Sequence, residues 1–266
     1  MLGICLLIFI ILTVFLKNGF PDRFIKYTEI NKNYNPDNVY LSRENKLQKK
    51  YLNINRKNLI IEKPNILVFG DSTGEDLFKA LISNENLKDK FNFLLINERV
   101  SLRELFKKYE DVIIKVDAVI LSNRWGNDGL KELNRNIEML KKTNKNIVIT
   151  SRTNEYRTIN HVGTILDHKV RFSKNKFNYY DLKKLYYKYR IFNSDSKINK
   201  NLENFANLHD LIYLNKEDYM CEIEKKECFY VSDEGHKLMY DAFHYTKAGS
   251  KYFGKKIYEI NWLKIN

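Results

Sequence analysis

A serine in this chain stands where a nucleophile could work. Ser72 follows the apolar run ILVF (66–69) within GDSTG, at a point where a predicted strand gives way to a predicted helix. There the backbone N–H groups of the new helix face the end of the strand and could stabilise an oxyanion beside the serine hydroxyl. A purely structural alternative is that Asp71 or Ser72 caps the helix, because both residue types are preferred caps.

A serine hydroxyl becomes a nucleophile only when a base takes its proton, and His244 is the candidate base. His244 lies three residues after Asp241 in YDAFHYTKAG, just before a predicted closing helix. At that spacing the carboxylate can accept one imidazole N–H and fix the tautomer, which leaves the second ring nitrogen for the serine. The other four histidines have no such neighbourhood. They are interpreted as surface or packing residues, with His236 the first exception to consider.

The third predicted strand also ends in polar residues, namely Ser122, Asn123 and Arg124, and Trp125 follows them. In a parallel sheet this end shares an edge with Ser72. Asn123 could donate its amide to a developing oxyanion, and Arg124 could bind a carboxylate or stack with a sugar-binding aromatic ring. The alternative is structural: Asn123 forms a turn and Trp125 fills the core.

The elements that must position these side chains alternate along the chain. Five apolar runs predict strands, at ILVF (66–69), FNFLLI (91–96), VDAVIL (116–121), NIVIT (146–150) and LIYL (211–214). Segments with helical spacing separate them, which is typical of βαβ units. The pattern predicts an α/β fold, a three-layer α/β/α sandwich with a mainly parallel five-stranded sheet covered on both faces. Thr246 is a candidate N-cap for a closing helix that reaches about Ile260.

The N-terminus predicts a transmembrane anchor over residues 1–17, followed by a linker over residues 18–60 and one domain over residues 61–266. Residues 2–16 are uncharged and apolar, although as a helix they are short for a hydrocarbon core about 30 Å thick. A cleaved signal peptide would need a basic n-region and a small-x-small cleavage site, and the sequence shows neither. A buried core helix would need a polar face toward solvent, and this run has too few polar residues to form one. The basic residues that follow the run favour a cytoplasmic position by the positive-inside rule, in conflict with an exported domain.

Composition and charge limit the function classes. The 266 residues are 44% hydrophobic and 14% aromatic, enough for a buried core and too many for a disordered chain. A net charge of +13 favours anionic partners, but no nucleic-acid-binding pattern is present, so nucleic acid is not expected as a partner. The three cysteines lack C-x-x-C spacing, so no metal is expected. Cys221 and Cys228 could close a small loop in an oxidising compartment.

Three motifs together resemble blocks one, three and five of the SGNH hydrolase family: GDST (70–73), LSNRW (121–125) and YDAFHYTKAG (240–249). More narrowly, the chain is similar to the SGNH domain fused behind membrane acyltransferases of the acyltransferase-3 type, which modify surface polysaccharides. The Arg-Trp pair in LSNRW, the cysteine loop, the apolar N-terminus and the NGFPDRF segment after it carry this narrower resemblance. It extends from about residue 18 to about residue 262.

The resemblance implies an SGNH, flavodoxin-like sandwich with Ser72 as nucleophile, His244 as general base and Asp241 as its orienter. It also implies a disulfide between Cys221 and Cys228, and no cofactor.

The sequence departs from the family pattern at two places. Position 73 is Thr where Leu or His is usual, and INERVS (96–101) stands where the family has its block-two glycine. The oxyanion hole is then expected to consist of the Ser72 backbone N–H, with Asn123 as the candidate second donor.

These features predict a membrane-anchored serine O-acyltransferase or esterase on the extracytoplasmic, periplasmic side, which acts on cell-envelope polysaccharide through an acyl-serine intermediate. Its expected partners are the membrane, an acyl-donating integral membrane acyltransferase and a cell-envelope carbohydrate acceptor, the chain being a separately encoded version of the fused domain. One alternative is a catalytically inactive carbohydrate-binding or assembly module, which the missing block-two glycine favours. A lipase or phospholipase is a third, but no apolar lid is evident near Ser72.

Overall fold

The structure of the protein is a computed structural model. It describes residues 59–98, 101–143, 145–153, 155–156, 158–159, 163–164, 167, 179–190 and 193–265. The predicted anchor, residues 1–17, and nearly all of the predicted linker lie outside these residues, so both stay predictions. Within the described residues, no helix combines the length and the apolar character needed to cross a membrane.

Strands and helices alternate over most of the chain. The strands are β1 (Asn65–Gly70), β2 (Asn92–Ile96), β3 (Ala118–Ser122), β4 (Asn146–Thr150), β5 (Thr158–Ile159), β6 (Gly163–Thr164), β7 (Ile212–Leu214), β8 (Cys221–Glu222) and β9 (Glu227–Cys228). The helices are α1 (Ser72–Ile82), α2 (Glu85–Lys90), α3 (Leu102–Ile113), α4 (Asn127–Lys141), α5 (Tyr179–Tyr189), α6 (Asn193–Leu208), α7 (Glu217–Met220) and α8 (Lys247–Glu259).

The five predicted strands form one sheet in the order β2-β1-β3-β4-β7. Every neighbouring pair in it is parallel. This is the flavodoxin-like strand order: successive strands are added to one side of β1 and then, from β3 onward, to the other, which leaves a crevice at the carboxyl ends of β1 and β3. The prediction of an α/β fold with a mainly parallel five-stranded sheet is confirmed.

Both faces of the sheet are covered, as the unbroken apolar strands predict. Ile66 and Val68 of β1 belong to one buried cluster, together with side chains of α1 and α8. Leu67 and Phe69 belong to a second buried cluster, together with side chains of α3 and α4. Because successive strand residues point to opposite faces, these two clusters are the two cores of a three-layer sandwich.

Two glycines bring the start of α1 against the end of β3. A Cβ at Gly70 would lie 1.8 Å from the backbone oxygen of Ser122, and a Cβ at Gly74 would lie 2.4 Å from the same atom. Neither distance leaves room for a side chain. The glycines of GDSTG therefore allow the serine turn to lie directly beside the end of β3, just before Asn123.

The predicted disulfide is present and closes a short hairpin. Cys221 and Cys228 lie opposite each other in the antiparallel pair β8–β9, and their sulfur atoms are bonded. The segment that follows the hairpin leads to His244. Its backbone is held by hydrogen bonds from Phe229 N–H to the Met220 carbonyl and from Leu238 N–H to the Tyr230 carbonyl, of 2.8 and 2.7 Å.

We expect the double variant Cys221→Ala/Cys228→Ala to lose about 2.5 kcal/mol of the free energy of unfolding, because the cross-link no longer restricts a loop of about eight residues in the unfolded chain. Urea unfolding of wild type and variant, each with and without dithiothreitol, measures this. Reductant should lower the stability of wild type to that of the variant and leave the variant unchanged. Equal stability of the two proteins without reductant would contradict the structural role of the disulfide.

Candidate active site

Ser72 is the first residue of α1, and Asp71 is the N-cap. The Asp71 carboxylate accepts hydrogen bonds from the Thr73 backbone N–H at 2.8 Å and from the Thr73 hydroxyl at 2.7 Å. The capping interpretation is therefore right for Asp71 and not for Ser72. Since the aspartate supplies the cap, the serine hydroxyl remains available for another partner.

The structure brings Ser72, His244 and Asp241 together in one line. His244 Nε2 lies 2.8 Å from Ser72 Oγ, and His244 Nδ1 lies 2.8 Å from Asp241 Oδ2. Ser72 and His244 are 172 residues apart in the chain. The geometry is that of a nucleophile, a base and an orienting carboxylate.

The hydrogen bonds of Asp241 determine which imidazole nitrogen carries the proton. Burial alone would raise the pKa of Asp241, but hydrogen bonds from the His244 ring and from the backbone N–H groups of Phe243 and His244 outweigh it and hold the pKa below its usual value. An ionised carboxylate can only accept hydrogen bonds. The proton of neutral His244 is therefore on Nδ1, and Nε2 accepts from the Ser72 hydroxyl.

The start of α8 fixes the segment that carries His244. Thr246 caps α8, as predicted: its side-chain oxygen accepts from the Gly249 N–H at 2.9 Å, and its hydroxyl donates to the Lys237 carbonyl at 2.7 Å. Tyr240 N–H also donates to the His244 carbonyl at 2.6 Å. The histidine is thus held by a cap on one side and a closed turn on the other.

Asn123 follows β3, next to the serine turn, and its two predicted roles are oxyanion donor and turn former. Its side-chain oxygen accepts from the Asp71 backbone N–H at 2.9 Å, and Asp71 Oδ2 accepts from the Arg124 backbone N–H at 2.8 Å. These bonds lock the end of β3 to the serine turn. Because the amide oxygen is engaged, the NH₂ group of Asn123 is the part that can donate to a ligand.

Arg124 already binds a carboxylate, that of Glu155. Two hydrogen bonds of 2.7 and 2.9 Å join the guanidinium to this buried glutamate, and Arg152 donates to the same carboxylate at 2.8 and 2.5 Å. The Arg124 guanidinium also lies 4.3 Å from the ring centre of Phe243, next to His244. No sequence motif surrounds Glu155, so its contact with Arg124 could not be predicted. A role for Arg124 toward substrate stays a prediction.

The structural interpretation of Trp125 is confirmed. Its ring is buried and its indole N–H donates to the Thr150 carbonyl at 2.8 Å.

The remaining histidines do not compete with His244 for Ser72 in the part of the chain that the structure describes. His209 packs against Phe205 with ring centres 4.4 Å apart, and His236 is exposed. His161 and His168 lie outside the described residues.

A cleft of about 390 Å³ adjoins the serine turn. Asp71 and Asn123 form the side nearest to Ser72, and Phe69, Leu102 and Trp125 contribute apolar surface. Glu98, Asp128 and Glu132 add carboxylates to its walls. A cleft with mixed walls that opens to solvent suits a small polar group better than a long acyl chain.

At the end of β2, where the family has its block-two glycine, this chain has a side-chain contact to α1. Asn97 donates a 2.6 Å hydrogen bond to Glu75. No group of three or more metal-ligating side chains occurs within the described ranges.

Residues 40–259 match the model of a family described as the SGNH domain fused to AT3 domains. The chain belongs to this family. No curated protein is a significant match in sequence to this SGNH domain.

Among solved structures, the SGNH domain is similar to the periplasmic domain of a lipopolysaccharide acetyltransferase from Salmonella ser. Paratyphi A, with 16% identity, a TM-score of 0.59, and 85% of this chain and 95% of that chain covered. It is also similar to an acetyl xylan esterase, AlAXEase, with 14% identity, a TM-score of 0.45, and 74% and 98% covered. At these identities the likeness concerns the fold.

Proposed function

We propose that this SGNH domain is a serine O-acyltransferase or esterase that acts on acyl groups of a cell-envelope polysaccharide. The observation that carries the proposal is the hydrogen-bonded line from Asp241 through His244 to Ser72, with both distances 2.8 Å. Membership of a family of SGNH domains fused to AT3 domains supports it. The name of the similar structure with a TM-score of 0.59, a lipopolysaccharide acetyltransferase domain, suggests acetyl as the first acyl group to test.

In the first half of the reaction, Ser72 Oγ attacks the carbonyl carbon of the acyl donor while its proton passes to His244 Nε2. Asp241 accepts from Nδ1–H and stabilises the imidazolium that forms. The carbonyl oxygen becomes an oxyanion, for which the Ser72 backbone N–H and the Asn123 amide are the proposed donors. When the tetrahedral adduct collapses, the leaving group takes the proton from Nε2 and the acyl group stays on Ser72.

In the second half, a sugar hydroxyl or a water molecule gives its proton to His244 Nε2 and attacks the acyl carbon. The bond to Ser72 Oγ breaks, and the oxygen regains its proton from the imidazolium. A sugar acceptor gives a transferase and water gives an esterase. The carboxylates in the mixed walls of the neighbouring cleft favour a hydroxylated acceptor.

Replacing Asn123 by alanine should lower kcat by roughly 10²-fold with little change in KM, since an oxyanion donor acts only once charge develops on the carbonyl oxygen. Steady-state hydrolysis of p-nitrophenyl acetate provides both constants. Lys131→Ala, at an exposed site on α4, is the control and should behave as wild type. A change of less than threefold in kcat for Asn123→Ala would remove this residue from the oxyanion hole.

We place the domain outside the cytoplasm, anchored to the membrane through residues 1–17, beside an integral membrane acyltransferase that supplies the acyl group. The disulfide supports an oxidising compartment. The family's fusion to AT3 domains supports the partner, with which this chain would work as a separate polypeptide.

The competing proposal is a carbohydrate-binding or assembly module that has the same fold and catalyses no reaction. The missing block-two glycine favours it. At the end of β2 the Asn97 side chain is bonded to Glu75, and the proposed oxyanion hole depends on the Ser72 backbone N–H and Asn123. Such a module would bind oligosaccharide and leave an acyl ester intact.

Two assays on the purified chain test the proposal. The first follows p-nitrophenyl acetate hydrolysis, and the second follows acetyl transfer from that ester to an oligosaccharide of the cell envelope by mass spectrometry. The proposal predicts hydrolysis in the first and, for a transferase, acetylated product in the second. Binding of oligosaccharide without either reaction would favour the module instead.

A further inference from the structure

A second carboxyl group lies close to His244 and has no part in the reaction described above. Asp76 is on α1, one turn after Ser72, and only 6% of it is exposed. Its Oδ2 accepts a 3.1 Å hydrogen bond from the backbone N–H of Tyr245, the residue directly after His244. This bond spans 169 residues of sequence and joins the helix of the nucleophile to the segment of the base.

We propose that Asp76 is a positioning residue for acyl transfer, which holds the His244 segment against the Ser72 helix and, once ionised, stabilises the imidazolium that forms on His244. The inference rests on the proposed function, because it concerns a charge that appears only when Ser72 gives up its proton. Residues one turn apart on a helix lie on the same side of it, so Asp76 and Ser72 face the same segment.

The charged groups around Asp76 come from three parts of the fold. Glu75 and Lys79 lie on α1 and pair with each other at 2.5 Å. His244 faces Asp76 from the segment before α8 and, when protonated, is the charge that most strongly favours the ionised carboxylate. Lys216 faces it from the connection between β7 and α7.

Two hydroxyls complete this environment. Those of Tyr219 and Tyr245 interact with Asp76 electrostatically and lie 2.9 Å from each other. Lys216 itself is fully buried and its ammonium group donates to the Thr153 hydroxyl at 3.2 Å. The Asp76 carboxyl is therefore nearly buried, and its cationic neighbours are Lys79, Lys216 and the imidazole of His244 when it is protonated.

In this environment the Asp76 carboxyl gains or loses its proton near neutral pH. Burial raises the pKa of Asp76 to about 7, with His244 and Lys79 opposing that rise. Burial also lowers the pKa of Lys216 to about 8. Asp76 is thus neutral below about pH 7 and ionised above it, so the help it gives to the imidazolium should grow as the pH rises through that value.

The variant Asp76→Asn separates the two parts of the proposal. Asparagine has nearly the same shape and can still accept from the Tyr245 N–H, but it carries no charge at any pH. Asp76→Leu also removes the acceptor. Asp89→Asn, at an exposed site on α2, is the matched control.

The experiment measures the rate of covalent labelling by a serine-directed fluorophosphonate between pH 5.5 and pH 9 for all four proteins. We expect Asp76→Asn to match wild type near pH 6 and to label on the order of tenfold more slowly near pH 8.5. Asp76→Leu should be slower at every pH, and Asp89→Asn should follow wild type throughout.

A ratio of Asp76→Asn to wild type that stays constant over the whole pH range would overturn the inference and leave Asp76 with a structural role. Wild type that is not labelled at any pH would instead defeat the proposed function, so the two failures are distinguishable. If Asp76→Asn does not fold, carbon-13 NMR of the wild-type carboxyl groups replaces it. A titration of Asp76 near pH 7 supports the inference, and one below pH 5 overturns it.

Discussion

Replacing Ser72 by alanine is expected to lower kcat for p-nitrophenyl acetate hydrolysis by roughly 10⁴- to 10⁶-fold. The methyl group cannot form the acyl ester, so neither half of the reaction can proceed. Binding of an oligosaccharide should change little, because the hydroxyl contributes to bond formation more than to affinity. Initial rates over a range of ester concentrations, with circular dichroism to verify folding, measure the effect.

Ser83→Ala is the matched control for this prediction. Ser83 is at the opposite end of the same helix, and its hydroxyl lies 2.8 Å from each of the backbone carbonyl oxygens of Ala80 and Ser250, which accept its hydrogen. This variant should lose some stability and keep its kcat. If Ser72→Ala retained more than a tenth of the wild-type kcat, Ser72 would not be the nucleophile.

Replacing His244 by alanine should have an effect nearly as large, roughly 10⁴-fold or more in kcat. Without the imidazole, no group accepts the Ser72 proton or returns it to the leaving group. Since Ser72 and His244 act as one unit, the double variant should be no slower than Ser72→Ala alone. Hydrolysis rates of the two single variants and the double variant provide this comparison.

His236→Ala serves as the histidine control, because His236 is exposed and belongs to the same connecting segment as His244. It should retain the wild-type rate. Additive losses in the Ser72 and His244 double variant would mean that the two side chains act independently, contrary to the 2.8 Å hydrogen bond between them.

Much of the fold could be predicted from the sequence, because the strands of a sheet buried on both faces are continuous apolar runs. Ile66, Leu67, Val68 and Phe69 illustrate this: all four are buried, two in each core. The closing helix was predictable because Thr246 is a capping residue directly before the helical pattern. Both signals are local, which is why the sequence alone carries them.

The line of three polar side chains was also predictable, for a related reason. Asp241 and His244 are neighbours in sequence, so only one long-range pairing, with Ser72, had to be assumed. The contacts of Arg124 with Glu155 and of Asp76 with Tyr245 were not predicted. Each joins segments whose proximity arises only when the sheet and its helices assemble, and neither is marked by a motif.

Asp71 and Asn123 show that a structural contact and a proposed functional role can belong to the same turn. Asp71 caps α1 and thereby frees the Ser72 hydroxyl. Asn123 uses its side-chain oxygen to hold that same turn, and its NH₂ group is the proposed oxyanion donor. From the sequence alone, a turn contact and an oxyanion contact of Asn123 are alternatives. The structure shows that the side-chain oxygen makes the first, which leaves the NH₂ group for the second.

Mass-spectrometric peptide mapping after treatment with a serine-directed fluorophosphonate tests the central claim most directly. We expect one phosphonyl adduct, on the Ser72 hydroxyl, that forms on wild type and is lost in both Ser72→Ala and His244→Ala. An adduct located on another residue, or labelling of Ser72→Ala at the wild-type rate, would contradict it.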